Sequence, residues 1–192
     1  IKYGEASAVL AGNSLLTLAL EIIADKNYTV NPELKNQIIK SLAFCSGHTG
    51  IAGGQELDLK FENKKKIFKQ IIDMQKKKTG KLFNFCLNAV GIIANKNLKV
   101  QTSLRNLGED IGLLFQLTDD FLDFKGSKKI VGKSIKKDAK KGKSTLINVM
   151  GYENAFNYAN KLKKNILLKI KKHGKNTSDL TDTIEFILGR NF

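Results

Sequence analysis

Apolar residues recur at helical spacing along most of the chain. Residues three and four positions apart share one face of an α-helix, so this pattern predicts amphipathic helices. Alternating runs of β-branched and aromatic residues bounded by hairpin turns do not occur, which gives strands little support. The sequence therefore predicts an all-α fold, with helices over residues 3–24, 32–55, 67–94, 104–124, 153–172 and 178–188.

Glycine, proline and lysine positions punctuate this pattern. Pro32 is favourable in the first turn of a helix, and Gly174 is a natural helix stop. We expect a break within 67–94, where a lysine-rich run interrupts the apolar period. With no internal repeat and no linker, residues 1–192 are predicted to form a single all-helical domain.

Gly47, Gly50 and Gly53 recur at intervals of three in the second predicted helix. This spacing puts bare backbone on one helix face, where a neighbouring helix or a ligand can approach closely. No strand precedes these glycines and no Gly-Lys-Ser/Thr follows them, so they do not form a P-loop. Helix packing is the favoured interpretation.

The composition is that of a globular protein, with 192 residues, 42% hydrophobic and 27% charged. No run approaches the roughly 20 consecutive apolar residues that a membrane-spanning helix needs, so we expect a soluble protein with no membrane span. Cys45 and Cys86 both lie in apolar helical contexts, which predicts buried free thiols in a reducing compartment. The predicted location is the cytoplasm.

The formal net charge of +15 raises the question of nucleic-acid binding. Only Arg105 and Arg190 are arginines among the 33 basic residues. Because groove and phosphate recognition usually recruit arginine, this lysine bias argues against a nucleic-acid partner. We predict none.

Carboxylates stand where a core helix should be apolar. In residues 111–124 the only charged side chains are Asp119, Asp120 and Asp123, and with Gln116 they fall within an arc of about 100° on the helix. Grouping carboxylates on a largely buried helix costs desolvation and mutual repulsion, and a hard divalent cation is the usual compensation. The alternative is a solvated helix face, which fits poorly beside so many large apolar residues.

With no His or Cys among the acids, the stripe suits Mg²⁺ or Mn²⁺ rather than zinc. Mg²⁺ is often bound together with substrate phosphates. Lys78, Lys133 and Lys143 are the best candidates to bind such phosphates, because each stands near Gly or Thr at a predicted break or loop.

Asp119-Asp120-Phe121-Leu122-Asp123, preceded by Phe115-Gln116, resembles the second aspartate-rich motif of the trans-prenyl diphosphate synthases. Other blocks of that family occur in the same order over nearly the whole chain, and the resemblance is greatest to the bacterial farnesyl diphosphate synthase branch. These blocks are Tyr3-Gly4-Glu5-Ala6, Gly53-Gly54-Gln55 with Asp58, Lys78-Thr79-Gly80, Gly132-Lys133 with Asp138, and Gly142-Lys143-Ser144-Thr145.

The resemblance implies an isoprenoid synthase fold, in which antiparallel helices surround a central cavity, and a homodimer. It implies Mg²⁺-dependent condensation of an allylic diphosphate, dimethylallyl or geranyl, with isopentenyl diphosphate to give farnesyl diphosphate. It also implies that the N-terminal helices of such a synthase, with the first aspartate-rich motif, are absent from this chain. We therefore expect the 192-residue chain alone to be inactive.

By position in the family's motif, Asp119 would bind Mg²⁺ directly, and Asp120 and Asp123 would support it through the metal or through ordered water. The resemblance assigns Lys78, Gln116 and Lys133 to the catalytic machinery. These three residues and Thr79 would contact the allylic substrate or its diphosphate.

Lys143 is a further predicted phosphate contact. Two departures from the family pattern bear on this basic segment: Lys136 stands where glycine is usual, and Leu146-Ile147 replaces Tyr-Pro.

Two alternatives stay open. The residues that set product length in this family lie mostly upstream of this chain, so a geranylgeranyl or longer-chain synthase is the close alternative. From another class, a non-catalytic basic helical binding protein would keep the helices and the charge, but it would not need three acids on one apolar stripe.

Overall fold

The computed structural model describes residues 2–27, 31–130, 144–174 and 176–189. Within these ranges the chain is helical and contains no strand, which confirms the predicted all-α class. The α-helices are α1 (Glu5–Ala24), α2 (Pro32–Ser46), α3 (Ile51–Phe61), α4 (Phe68–Gln75), α5 (Lys81–Ile93), α6 (Leu98–Ile130), α7 (Leu146–Met150), α8 (Tyr152–Ile170) and α9 (Ser178–Gly189).

Helix α6 is the longest element and organises the core. It packs along α5 on one side and against α8 and α9 on another. Its apolar face is buried against side chains from α4, α7, α8 and α9, because this face carries large residues at helical spacing. The fully buried members of the core include Ile71, Leu107, Leu114, Leu117, Phe121, Leu146, Ile166 and Ile184.

The second predicted helix is in fact two helices. α2 ends at Ser46 and α3 begins at Ile51, so the single helix predicted for residues 32–55 is wrong. A Cβ on Gly50 would lie 1.8 Å from the Cys45 carbonyl oxygen, and one on Gly53 would lie 1.9 Å from that of His48. These glycines are therefore needed for the tight turn between the helices.

The break expected in residues 67–94 does not interrupt the helical path. The chain stays helical there and contains one wider turn. α4 leads into a π-helical turn, Lys76–Gly80, which leads directly into α5. Such π-turns are rare and occur frequently at functional sites. The remaining helices begin and end close to their predicted limits, except that α6 is longer at both ends and α7 is not predicted.

Helix α1 contacts α2 but has no buried residue, and its leucine and isoleucine side chains are largely exposed. Among the described residues it is one helix long and apolar enough to cross a membrane, with a mean hydropathy of 1.6 over 18 residues. The prediction of no membrane span rested on the absence of a long uninterrupted apolar run. The hydropathy of α1 averaged over 18 residues is nevertheless high enough for a span. Core helices of soluble proteins reach such values too, so α1 is weak support for a span.

Both cysteines are free, as predicted, but only Cys45 is buried. The prediction that Cys86 is buried is wrong. Cys86 lies on a face of α5 that carries other exposed apolar residues, among them Leu82, Val90 and Ile93.

Candidate active site

A small acidic cavity of about 50 Å³ lies where α3, α4, the π-helical turn and α6 meet. We call it the acidic cavity. Three carboxylates and one lysine line it, together with two amide side chains and two hydroxyl residues. Its lining residues are Asp58, Met74, Gln75, Lys78, Gln116, Asp120, Asp123, Ser144 and Thr145.

Close backbone contacts hold the π-helical turn beside the cavity. A Cβ on Gly54 would lie 2.2 Å from the Lys78 backbone nitrogen, so α3 can approach the turn only because residue 54 is glycine. On the other side, a Cβ on Gly112 would lie 2.6 Å from the Cα atom of Gly80. Contacts of this kind fix the positions of Lys78 and Thr79.

Two amide side chains hold the carboxylate of Asp120. Gln116, one helical turn earlier on α6, donates from Nε2 to Oδ1 at 3.1 Å. Gln75, at the end of α4, donates from Nε2 to Oδ2 at 3.1 Å. The hydroxyl of Thr79 donates to Gln116 Oε1 at 3.0 Å, so the π-helical turn is joined to the same network. The orientation of Asp120 is therefore set by residues from two helices.

The lysines of the π-helical turn have different partners. Lys76 faces Asp110, at 3.4 Å between Nζ and Oδ1, and Lys169 of α8 pairs with the same carboxylate at 2.6 Å. Lys78 pairs instead with Asp58 of α3, inside the acidic cavity. The ion pair of Lys76 therefore connects the turn to α6, whereas Lys78 places its ammonium group beside the carboxylates of the cavity.

The structure brings together part of the predicted site. Lys78, Gln116, Asp120 and Asp123 line the cavity, and Thr79 is connected to it by its hydrogen bond to Gln116.

The remaining predicted site residues are Asp119, Lys133 and Lys143. Asp119 is half-buried on α6 but is not among the lining residues. The metal role of Asp119 remains a prediction. Lys133 and Lys143 lie outside the described residues.

Five cavity residues are not among the predicted site residues: Asp58, Met74, Gln75, Ser144 and Thr145. Asp58 has a sequence signal, because it belongs to the block that begins at Gly53. Gln75 has none: its contact with Asp120 joins residues 45 positions apart, which helical periodicity does not connect.

The oxygen atoms that line the acidic cavity suit a hard divalent cation as metal ligands. Carboxylate and amide oxygens are the ligands that Mg²⁺ and Mn²⁺ favour, and the buried Oε1 of Gln75 accepts no hydrogen bond from any described residue. No three His, Cys, Asp or Glu side chains in the described ranges are grouped closely enough to hold a metal ion by themselves. That is compatible with Mg²⁺, which is usually bound by one or two carboxylates plus substrate phosphates.

A second cavity, of about 420 Å³, lies between α2, α5 and the N-terminal half of α6 and contains no predicted site residue. Its buried polar residues, Cys45, Asn84 and Asn88, already have polar partners. The Cys45 thiol lies 3.7 Å from Asn84 Oδ1, Asn84 donates to Glu109 at 3.0 Å, and Arg105 donates to Asn88 at 3.4 Å. Burial raises the pKa of the Cys45 thiol, although the nearby Lys81 ammonium opposes this rise.

Comparison with known proteins decides the family. The family model described as polyprenyl synthetase matches residues 1–186. The chain belongs to this family. The farnesyl diphosphate synthase of Micrococcus luteus is 36% identical over 152 residues, which are 79% of this chain and 52% of that protein.

Solved structures of the family share the fold. An FPP/GFPP synthase from Zymomonas mobilis, in its apo form, has a TM-score of 0.81 at 30% identity and covers 97% of this chain. A geranyltransferase from Helicobacter pylori, complexed with magnesium and isoprenyl diphosphate, has a TM-score of 0.80 at 29% identity and covers 98%. This chain spans 62% and 61% of those two chains, so it matches about three fifths of a solved synthase.

Proposed function

We propose that the full-length protein is a prenyltransferase that condenses dimethylallyl or geranyl diphosphate with isopentenyl diphosphate to form farnesyl diphosphate. One observation carries the proposal: Lys78, Asp120 and Asp123 line the same cavity in a chain of the polyprenyl synthetase family. A diphosphate bound with divalent cations needs both kinds of group, since lysine contacts phosphate and carboxylates contact the metal.

The chemistry explains why the site needs no nucleophile. The allylic C–O bond breaks, and the diphosphate leaves with the electron pair. The double bond of isopentenyl diphosphate then attacks the allylic carbocation, which forms a C–C bond and a new carbocation. A carbon next to this new carbocation loses a proton to the released diphosphate, and a double bond forms. The protein has to stabilise the negative charge of the leaving group and exclude water.

Each predicted residue has a role in this scheme. Asp119 is the proposed direct ligand of the cation, with Asp120 and Asp123 supporting it. When bound, Mg²⁺ or Mn²⁺ supplies positive charge for the diphosphate leaving group. Lys78 adds a further positive charge beside the phosphates, and Gln116 keeps the Asp120 carboxylate oriented through its hydrogen bond.

The remaining contacts complete the proposed substrate site. Thr79, held by Gln116, would bind the allylic substrate or its diphosphate. Lys133 is proposed as a catalytic contact to the diphosphate, and Lys143 as a second phosphate contact.

Product length has a second candidate. The Zymomonas mobilis relative is called an FPP/GFPP synthase, so products longer than farnesyl diphosphate occur among proteins of this fold. A geranylgeranyl or longer-chain synthase would use the same cavity residues. We propose farnesyl diphosphate because the Micrococcus luteus relative bears that name.

We further propose that residues 1–192 belong to one all-helical domain and form the C-terminal part of a synthase. The protein is proposed to be a cytoplasmic homodimer without a nucleic-acid partner or a membrane span. The exposed apolar side chains of α1 support further helical packing there, because an exposed apolar surface of this kind usually marks an interaction site.

The test is product analysis. Full-length protein is incubated with dimethylallyl diphosphate, isopentenyl diphosphate and Mg²⁺, and the products are separated by chromatography. A fifteen-carbon product supports the proposal, and a longer product keeps the reaction but changes the branch. If no prenyl diphosphate forms, the proposal is wrong and a non-catalytic binding protein becomes the better hypothesis.

A further inference from the structure

Gln75 has one buried polar atom that has no hydrogen-bond partner within the described part of the chain. The residue is 3% exposed and lines the acidic cavity. Its Nε2 donates to Asp120 Oδ2, but its Oε1 accepts no hydrogen bond from the described residues. Buried acceptors in native proteins almost always have a donor, so this oxygen indicates a donor that the described residues do not provide.

The orientation of the amide is fixed by its neighbour. Exchanging the oxygen and the nitrogen of Gln75 would place Oε1 against the carboxylate oxygen of Asp120, where two acceptors would repel each other. The Nε2 donor therefore faces Asp120, and Oε1 is the atom that needs a partner.

The charges around Gln75 favour a hydrated cation, whose bound water would be the missing hydrogen-bond donor to Oε1. Asp58, Asp120 and Asp123 line the cavity, and the Lys78 ammonium pairs with Asp58. A volume of about 50 Å³ accommodates water, which needs roughly 10–15 Å³ per molecule by this measure. Mg²⁺ usually keeps several waters when it binds a protein, and each of these waters is a hydrogen-bond donor.

We propose that Gln75 is a positioning residue for the hydrated cation. Its Nε2 holds the Asp120 carboxylate from one side while Gln116 holds it from the other. Its Oε1 accepts a hydrogen bond from a water molecule bound to the metal. This inference rests on the proposed function, because it places a divalent cation in the acidic cavity.

The test measures metal binding directly. Mn²⁺ binding to the full-length protein with inorganic diphosphate is followed by electron paramagnetic resonance at pH 8. Gln75→Met keeps the approximate size of the side chain but loses both its donor and its acceptor. We expect Gln75→Met to weaken Mn²⁺ binding about 10- to 100-fold, as is typical when a group that orients a metal ligand is removed.

Two further variants separate hydrogen bonding from general effects. Gln75→His retains one N–H donor and one acceptor as a neutral imidazole, and we expect Mn²⁺ affinity within about threefold of wild type. Gln37→Met alters an exposed glutamine of α2 that does not line the acidic cavity, and it should bind Mn²⁺ like wild type. Thermal unfolding of each variant checks that it is folded.

The outcomes distinguish this inference from the proposed function. If wild type binds Mn²⁺ and Gln75→Met binds it equally well, the role of Gln75 is wrong and the synthase proposal stands. The role is also wrong if Gln75→His binds as weakly as Gln75→Met. If wild type makes no prenyl diphosphate and binds no Mn²⁺, the proposed function itself fails.

A crystal structure gives a test that does not depend on folding of the variants. In wild-type protein with Mn²⁺ and inorganic diphosphate, a metal-bound water should lie about 3 Å from Gln75 Oε1. The inference is overturned if that oxygen still has no donor while the metal is bound.

Discussion

Gly112 of α6 lies against Gly80, the last residue of the π-helical turn, and a Cβ on Gly112 would stand 2.6 Å from the Cα atom of Gly80. The same Cβ would lie 2.9 Å from Cδ2 of Phe83. Helix α6 and the turn therefore meet through bare backbone. Because Gln116 and Asp120 follow on α6 while Lys78 and Thr79 stand on the turn, this contact sets the spacing across the acidic cavity.

Gly112→Ala should therefore destabilise the protein and move the turn. Forcing an extra methyl group into such a contact costs about 1–3 kcal/mol of unfolding free energy. Denaturant unfolding measures the change. Gly91→Ala is the matched control, since its Cβ would first meet the Leu104 side chain, at 3.0 Å, and that side chain can shift. Equal losses for the two variants would contradict the prediction.

In the full-length protein, Asp119→Ala should abolish most of the proposed synthase activity. Loss of a group that holds a charge-stabilising metal commonly costs several kcal/mol, so kcat should fall by about two orders of magnitude or more. Steady-state kinetics with isopentenyl diphosphate checks this. Asp182→Ala, at an exposed site on α9, is the control and should keep wild-type rates. A rate within threefold of wild type for Asp119→Ala would remove Asp119 from the metal site.

In the full-length protein, Lys78→Met should lower kcat/KM for the proposed allylic diphosphate substrate by about 100-fold, the typical effect of removing one group that stabilises developing negative charge. The neighbouring Lys77→Met changes the net charge equally and lies on the same π-helical turn, but Lys77 does not line the acidic cavity. It should change kcat/KM less than threefold. If both variants lose activity to the same extent, the general positive charge matters and not the position of Lys78.

Cys45 should be slow to react with iodoacetamide in the native protein. The residue is 2% exposed, and burial raises the pKa of its thiol, so less of the reactive thiolate is present at any given pH. At pH 8 we expect alkylation of the Cys45 peptide, measured by mass spectrometry, to be at least about 100-fold slower than in urea-unfolded protein. The native rate should still rise with pH where the unfolded protein has reached its plateau. Equal rates in the two states would show that Cys45 is accessible.

The helix limits were predicted well where the apolar residues recur regularly and a residue such as glycine marks the helix end. The helices predicted over residues 153–172 and 178–188 are α8 and α9 within two residues at each end, because Gly174 separates two regular apolar patterns. The prediction failed at residues 32–55, where the apolar pattern continues through a turn. Periodicity does not register that a Cβ on Gly50 would overlap the Cys45 carbonyl, which is a contact within the folded turn.

The amino-acid sequence by itself determined the all-α class, the acidic stripe on α6 and the order of the family's motifs, because these depend on residues close together along the chain. Only the tertiary structure decided which partners the acids have. Lys78 meets Asp58 across 20 positions and Gln75 meets Asp120 across 45, and both contacts depend on how α3, α4 and α6 pack. A hydrogen bond requires atoms to be placed within a few tenths of an ångström, and such precision comes from close packing of helices and not from the period of a sequence.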